Sequence, residues 1–161
     1  MNGKVPLARL LFVTVPRALL GALMLAAVAI NFANVVGRYV FKQPLFWAEE
    51  VLVFLVVWGV FIGMGTIAYR GDHLSMDLFS ARLRGPARIA VNVLVAATLV
   101  ACCVFAVTQS WQVVSLFAAA GQVSVAAGIP KALPHAALIA GFGLTALAVL
   151  VRLRAYVTGK F

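Results

Sequence analysis

Acidic side chains are almost missing from this chain. Of its 161 residues only Glu49, Glu50, Asp72 and Asp77 bear a carboxylate, and they sit at the two ends of a single apolar run. The other long apolar runs hold no acid, and no Lys or Arg away from their ends. A path for a charged solute or ion through a membrane needs ionisable groups at depth, so this chain alone offers poor material for one. Cysteine is nearly absent too. Cys102 and Cys103 are adjacent inside an apolar run, without metal-ligand spacing, and are read as filler facing lipid or a neighbouring helix. The only histidines are His73 and His135. There is no Ser/His/Asp set, no phosphate-binding glycine loop and no zinc spacing, which argues against an enzyme.

What the chain has in abundance is hydrocarbon. Hydrophobic residues make up 65% of it, and mean hydropathy is +1.09. A soluble domain is roughly half apolar, and a core of this size cannot hide the excess, so lipid is the expected solvent. A membrane crossing takes about 20 apolar residues at about 1.5 Å rise each. Four stretches qualify, over residues 18–36, 48–69, 87–112 with a helical extension to about 120, and 134–151. The expected fold is an all-α integral membrane protein, a single membrane domain over residues 1–161. A cleavable leader is not expected, because the first apolar run continues past Ala27-Val28-Ala29 through Ile30, Phe32, Val35 and Val36.

The net charge of +9 is spread between the apolar runs and nowhere forms a dense tract, which speaks for membrane topology and against nucleic acid. Ten of the thirteen Lys and Arg fall on one side: Lys4, Arg9, Arg17, Arg70, Arg82, Arg84, Arg88, Arg152, Arg154 and Lys160. Arg38, Lys42 and Lys131 fall on the other. The positive-inside rule then puts both termini in the cytoplasm of a bacterial inner membrane. Pro86 and Pro134 suit the first turns of the third and fourth spans, and Trp47 and Tyr69 bracket the second like an aromatic belt. Residues before Arg17, and Ser75 to Arg84, have the pattern of short interfacial helices, an ordinary charged loop being the alternative for each.

Helices in lipid associate through close backbone approach and a few hydrogen bonds. Small residues recur at helical spacing as Ala29, Ala33 and Gly37 in the first span, Gly59 and Gly63 in the second, and Ala137, Gly141 and Thr145 in the fourth. They predict close contacts, within the subunit or with a larger partner. Phe54, Trp58 and Phe61 lie on the other side of the second span, toward lipid or a partner. The third span is longer than a bilayer needs. Its apolar extension beyond Trp111 calls for a protein partner.

Polar residues cluster at one place. Asn31, Asn34 and Arg38 share a helical face, and across the turn at Pro44 the carboxylates Glu49 and Glu50 open the second span, at a helix N-terminus that favours negative charge. Arg38 is expected to pair with one of them. Their position at the end of the span favours a structural pair and docking surface over an ion-coupling site. Two rivals stand beside this. A respiratory haem anchor would use both histidines, but His73 and His135 fall on opposite sides of the membrane, so no cofactor is expected. A small four-helix drug exporter would need a carboxylate deeper than Glu49 and Glu50.

The segment from Asn34 to Asp77 resembles the signature region of the small membrane subunit of tripartite ATP-independent periplasmic (TRAP) transporters, through Asn34, Arg38, Tyr39, Phe41, Pro44, Trp47, Glu49, Glu50, Trp58, Gly63, Ala68, His73 and Asp77. A weaker echo runs through Gly121, Ser124, Ile129, Pro130 and Pro134, with Lys131 where the family commonly has an aromatic residue. The resemblance implies a soluble periplasmic binding protein that captures an organic acid, and a large elevator-type membrane subunit that moves it on a sodium or proton gradient. The small subunit would brace the large one and help dock the binding protein.

Overall fold

The computed structural model describes residues 7–71 and 86–158. Its elements are α1 (Leu7–Tyr39), α2 (Ala48–Arg70), α3 (Pro86–Ala119), α4 (Ala132–Val151) and the short α5 (Leu153–Thr158). The first four are all long and apolar enough to cross a membrane. The expected interfacial helix from Ser75 to Arg84, and the signature residues His73 and Asp77, lie outside the described residues.

The segment before Arg17 is helical, but it is not a separate surface helix: it runs unbroken into the first span. The reason is Pro16. Proline has no N–H and crowds the carbonyl four residues back. The chain accommodates it with a π-helical turn over Leu10–Thr14, in which Val15 N–H reaches Leu10 O, five residues earlier. The wide turn buries Phe12 and Val13. α3 starts at Pro86, where a proline is tolerated, and its 34 residues span about 51 Å at 1.5 Å each. α4 starts two residues before Pro134, with Lys131 preceding its first turn.

The four long helices stand in a row and do not close into a square. α1 packs on α2, α2 on α4, and α4 on α3; among the described residues the remaining pairs of long helices barely touch. Accordingly α4 and α2, in the middle, are the more enclosed, and α1 and α3, at the edges, the more open. The α2–α4 seam is the tightest. Ala137, Gly141, Thr145 and Ala148 are buried along one stripe of α4; on α2, Gly65 lies against Leu144 and Thr145, and Ala68 clusters with Ala148. A Cβ at Gly141 would lie 2.6 Å from Phe61 Cβ and 2.7 Å from Phe61 O, so only glycine lets the two backbones approach this closely. Phe61, expected toward lipid or a partner, is therefore inside the chain, with its ring 5.5 Å from that of Phe142. Thr145 Oγ1 donates to Gly141 O at 2.8 Å, which satisfies its buried hydroxyl within the helix.

The α1–α2 contact is looser: Gly59 and Gly63 both face the side chain of Leu20, at 3.7 Å from an added Cβ. Ala29 and Ala33 are exposed, so that stripe faces outward from the row.

One end of the row is closed by the first turns of α1 and by α5. Phe12 stacks on Tyr69 with ring centroids 5.0 Å apart, the Arg152 guanidinium lies over the Tyr69 ring at 4.8 Å from its centroid, and Tyr156 donates its hydroxyl hydrogen to Ala68 O at 2.7 Å. Asn92 of α3 donates to Val157 O at 3.2 Å, which docks α5 against the start of that helix. The opposite end holds the α1–α2 turn and the α3–α4 loop.

Candidate functional site at the loop end

The α1–α2 turn is built by one side chain and one missing side chain. Asn34, buried on the last turns of α1, accepts a 2.9 Å hydrogen bond from Leu45 N–H through its Oδ1. Gln43 N–H donates to Gly37 O at 2.9 Å, and a Cβ on Gly37 would stand 2.8 Å from Gln43 O. Gly37 thus makes room for the returning chain and does not pack helix on helix. Lys42 takes a positive φ of 54° at the bend. Pro44 and Trp47 then lead into Ala48, whose N–H bonds to Leu45 O at 3.0 Å. The turn pushes Tyr39, Phe41, Phe46 and Trp47 outward. Beneath it an apolar groove of about 490 Å³ runs along α1, lined by Phe32, Ala33, Val36, Gly37, Phe41 and Leu45.

The two carboxylates that open α2 have different partners. Arg38 Nη2 meets Glu49 Oε1 at 3.3 Å, with both side chains at least half exposed. Such a pair fastens the hairpin only weakly, because water competes for both charges. Asn31, on the same face, is exposed. Glu50 turns the other way and crosses to the α3–α4 loop. Its Oε1 accepts Ala126 N–H at 3.1 Å, and its Oε2 accepts Ala127 N–H at 2.8 Å. The Ser124 side chain also hydrogen-bonds to this carboxylate. A carboxylate is all acceptor, so two successive backbone donors are a natural match for its two oxygens.

The loop it holds has its own fastenings. Ser124 N–H donates to Ile129 O at 2.8 Å, Ile129 N–H donates back to Ser124 Oγ at 3.2 Å, and Lys131 N–H donates to Gln122 O at 3.0 Å. Val123 and Pro130 form an antiparallel bridge. Gly121 and Gly128 supply the left-handed bends, at φ of 58° and 66°. The result is a small ring of backbone whose tip, Val125, is 96% exposed.

The extension of α3 beyond Trp111 is covered on one face only. The Phe117 ring lies 4.9 Å from that of His135, whose Nδ1 is 2.9 Å from Lys131 O. Trp111 and Leu116 point outward. Trp58 is half-buried on α2. The loop end therefore gathers Asn34, Arg38, Tyr39, Pro44, Trp47, Glu49, Glu50 and Pro130, while Gly59, Gly63 and Gly141 belong to the helix seams. The bridge from Glu50 to Ala126 and Ala127 was not legible in the sequence, since a carboxylate bound to backbone N–H groups leaves no side-chain signature. Neither was the docking of Tyr156 on Ala68, two residues far apart in the chain.

The chain is similar to a known transporter component. Over 85 residues, 53% of this chain, it is 35% identical to the C4-dicarboxylate TRAP transporter small permease protein DctQ of Vibrio cholerae serotype O1. That match spans about a third of the relative's length, 35%. A family model matches far more of the chain, residues 27–159, from the middle of α1 to the end of α5. The chain belongs to the DctQ component family of the tripartite ATP-independent periplasmic transporters.

Proposed function

We propose that this chain is a small scaffold subunit, which braces a large elevator-type membrane subunit and helps a soluble periplasmic protein to dock. The observation that carries this reading is the row of helices itself. No charged side chain lies between Arg17 and Arg38 of α1, between Glu50 and Arg70 of α2, after Arg88 in α3, or within α4. A single layer encloses no path, and nothing at its mid-depth could hold an ion or an organic acid. The chain offers broad apolar faces in the membrane and built polar structure at the loop end. It serves a companion that carries the cargo, and has no catalytic role and no cofactor.

In this reading the loop end faces the periplasm and both termini face the cytoplasm, which the ten-to-three division of Lys and Arg supports. The name of the Vibrio relative makes C4-dicarboxylates the first solutes to test, with a sodium or proton gradient as the driving force. The decisive experiment is reconstitution in liposomes of the large subunit and the ligand-loaded soluble protein, with and without this chain. Uptake is expected only with all three, and the soluble protein should bind its ligand normally when this chain is absent. Equal uptake without this chain, or gradient-driven flux through it alone, overturns the reading.

A further inference from the structure

Glu50 stands out because its hydrogen bonds are not those a helix needs. It sits in the first turn of α2, where a carboxylate is commonly left to water or to its own helix. Here it reaches across to the loop joining two other helices and takes two consecutive backbone N–H groups, with Ser124 alongside. The same loop is closed on itself by the exchange between Ser124 and Ile129 and by the Val123–Pro130 bridge. Internal closure makes it a rigid ring; Glu50 sets the pose of that ring relative to the α1–α2 turn. What the ring presents is small and apolar: Val125 at 96% exposure, followed by Ala126 and Ala127, whose N–H groups point back to Glu50.

We propose that Glu50 is a positioning residue for docking: it holds loop 120–131 in the pose in which the Val125 tip meets the soluble periplasmic protein. The inference rests on the docking reading given above and deepens it. A rigid, prepositioned tip loses little conformational freedom on contact, so affinity depends on the pose being held before the partner arrives. The occupant is a soluble protein and not lipid, because the loop stands beyond the helix ends, at the level of the half-exposed Arg38–Glu49 ion pair and of Lys131, where the surroundings are aqueous and not hydrocarbon. The two N–H groups call for a carboxylate, and one of this length spans the gap best. Glutamine would turn an amide donor toward one of the two N–H groups, and alanine would leave both without a partner.

The test uses this chain in complex with the large subunit in lipid nanodiscs, and the purified soluble protein as the probe. E50Q should weaken binding of the soluble protein roughly three- to tenfold, the loss of one good hydrogen bond from a prepositioned contact. The yield and melting temperature of the membrane complex should stay unchanged. E50D, which keeps both acceptor oxygens, should recover part of the affinity. V125D, which leaves the Glu50 bonds in place, should weaken binding as well, and it keeps the test decisive if E50Q assembles poorly. Binding like that of the unmodified complex by E50Q and V125D overturns the inference, and so does a tip that dips into lipid, since V125D would then spare soluble-protein binding. If the unmodified complex does not bind the soluble protein, the docking reading falls and this inference falls with it.

Discussion

At the scale of single residues, the chain turns on a few positions where size or hydrogen-bonding capacity allows one choice. Gly141 is the clearest. A methyl group there meets Phe61 backbone and side chain below 3 Å, and backbone cannot step aside as a flexible side chain can. G141A is therefore expected to lose about 1–3 kcal/mol of stability through overpacking, read as a lower midpoint in a detergent-denaturation titration. Gly143 provides the control, since an added Cβ there meets nothing within 4 Å; G143A should be neutral or slightly stabilising, as alanine is the better helix former. Equal losses for the two variants would show that α2 and α4 do not approach as closely as described. Asn34 follows the same logic with a hydrogen bond in place of volume, because Leu45 N–H has its side-chain oxygen as acceptor.

At the scale of elements, α5 is a clasp. Its six residues are too few to be helical unaided. It is held by Asn92 on Val157 O and by Tyr156 on Ala68 O, near the Phe12–Tyr69–Arg152 stack. Y156F is expected to cost about 1 kcal/mol, the net worth of one part-buried hydrogen bond, seen as faster proteolysis of the C-terminal segment while membrane insertion stays intact. Burial raises the Tyr156 phenol above its ordinary value of 10.0, and the Arg152 charge opposes this in part. The clasp is thus fully present at neutral pH. It weakens only in strong alkali, as the pH rises through the raised value, because deprotonation removes the hydrogen that Ala68 O accepts. The helical class of each long element was legible from hydropathy. α3 begins at Pro86, and α2 runs from Ala48 to Arg70, one residue beyond the expected end. The order in the row was not legible, because small residues mark a helix face for contact without naming the neighbour. Thus Ala137, Gly141 and Thr145 lie in a seam, whereas Ala29 and Ala33, with the same spacing, face outward. Among the candidate site residues, Arg38 and the two carboxylates were recognisable as a group from their spacing, but which acid goes where depends on a loop some 75 residues away.

At the scale of the whole molecule, the two ends differ in kind. The terminal end adds aromatic stacking and a guanidinium to its two side-chain hydrogen bonds on backbone; the loop end is closed by hydrogen bonds to backbone and one exposed ion pair. The placement of Phe12, Tyr69 and Tyr156 puts the first turns of α1 and the short α5 at the same end of the row. A reporter fused at the C-terminus should be active only in its cytoplasmic form, and a periplasmically active fusion would reverse the orientation argued from charge. The row also has a consequence of its own. A wall one helix thick has no interior, and whichever broad side leans on a companion leaves the other bathed in acyl chains. In the proposed assembly, such a wall would shift the boundary lipids outward from the moving parts without adding any passage, so that what slides would do so against a fixed protein rail instead of a fluid.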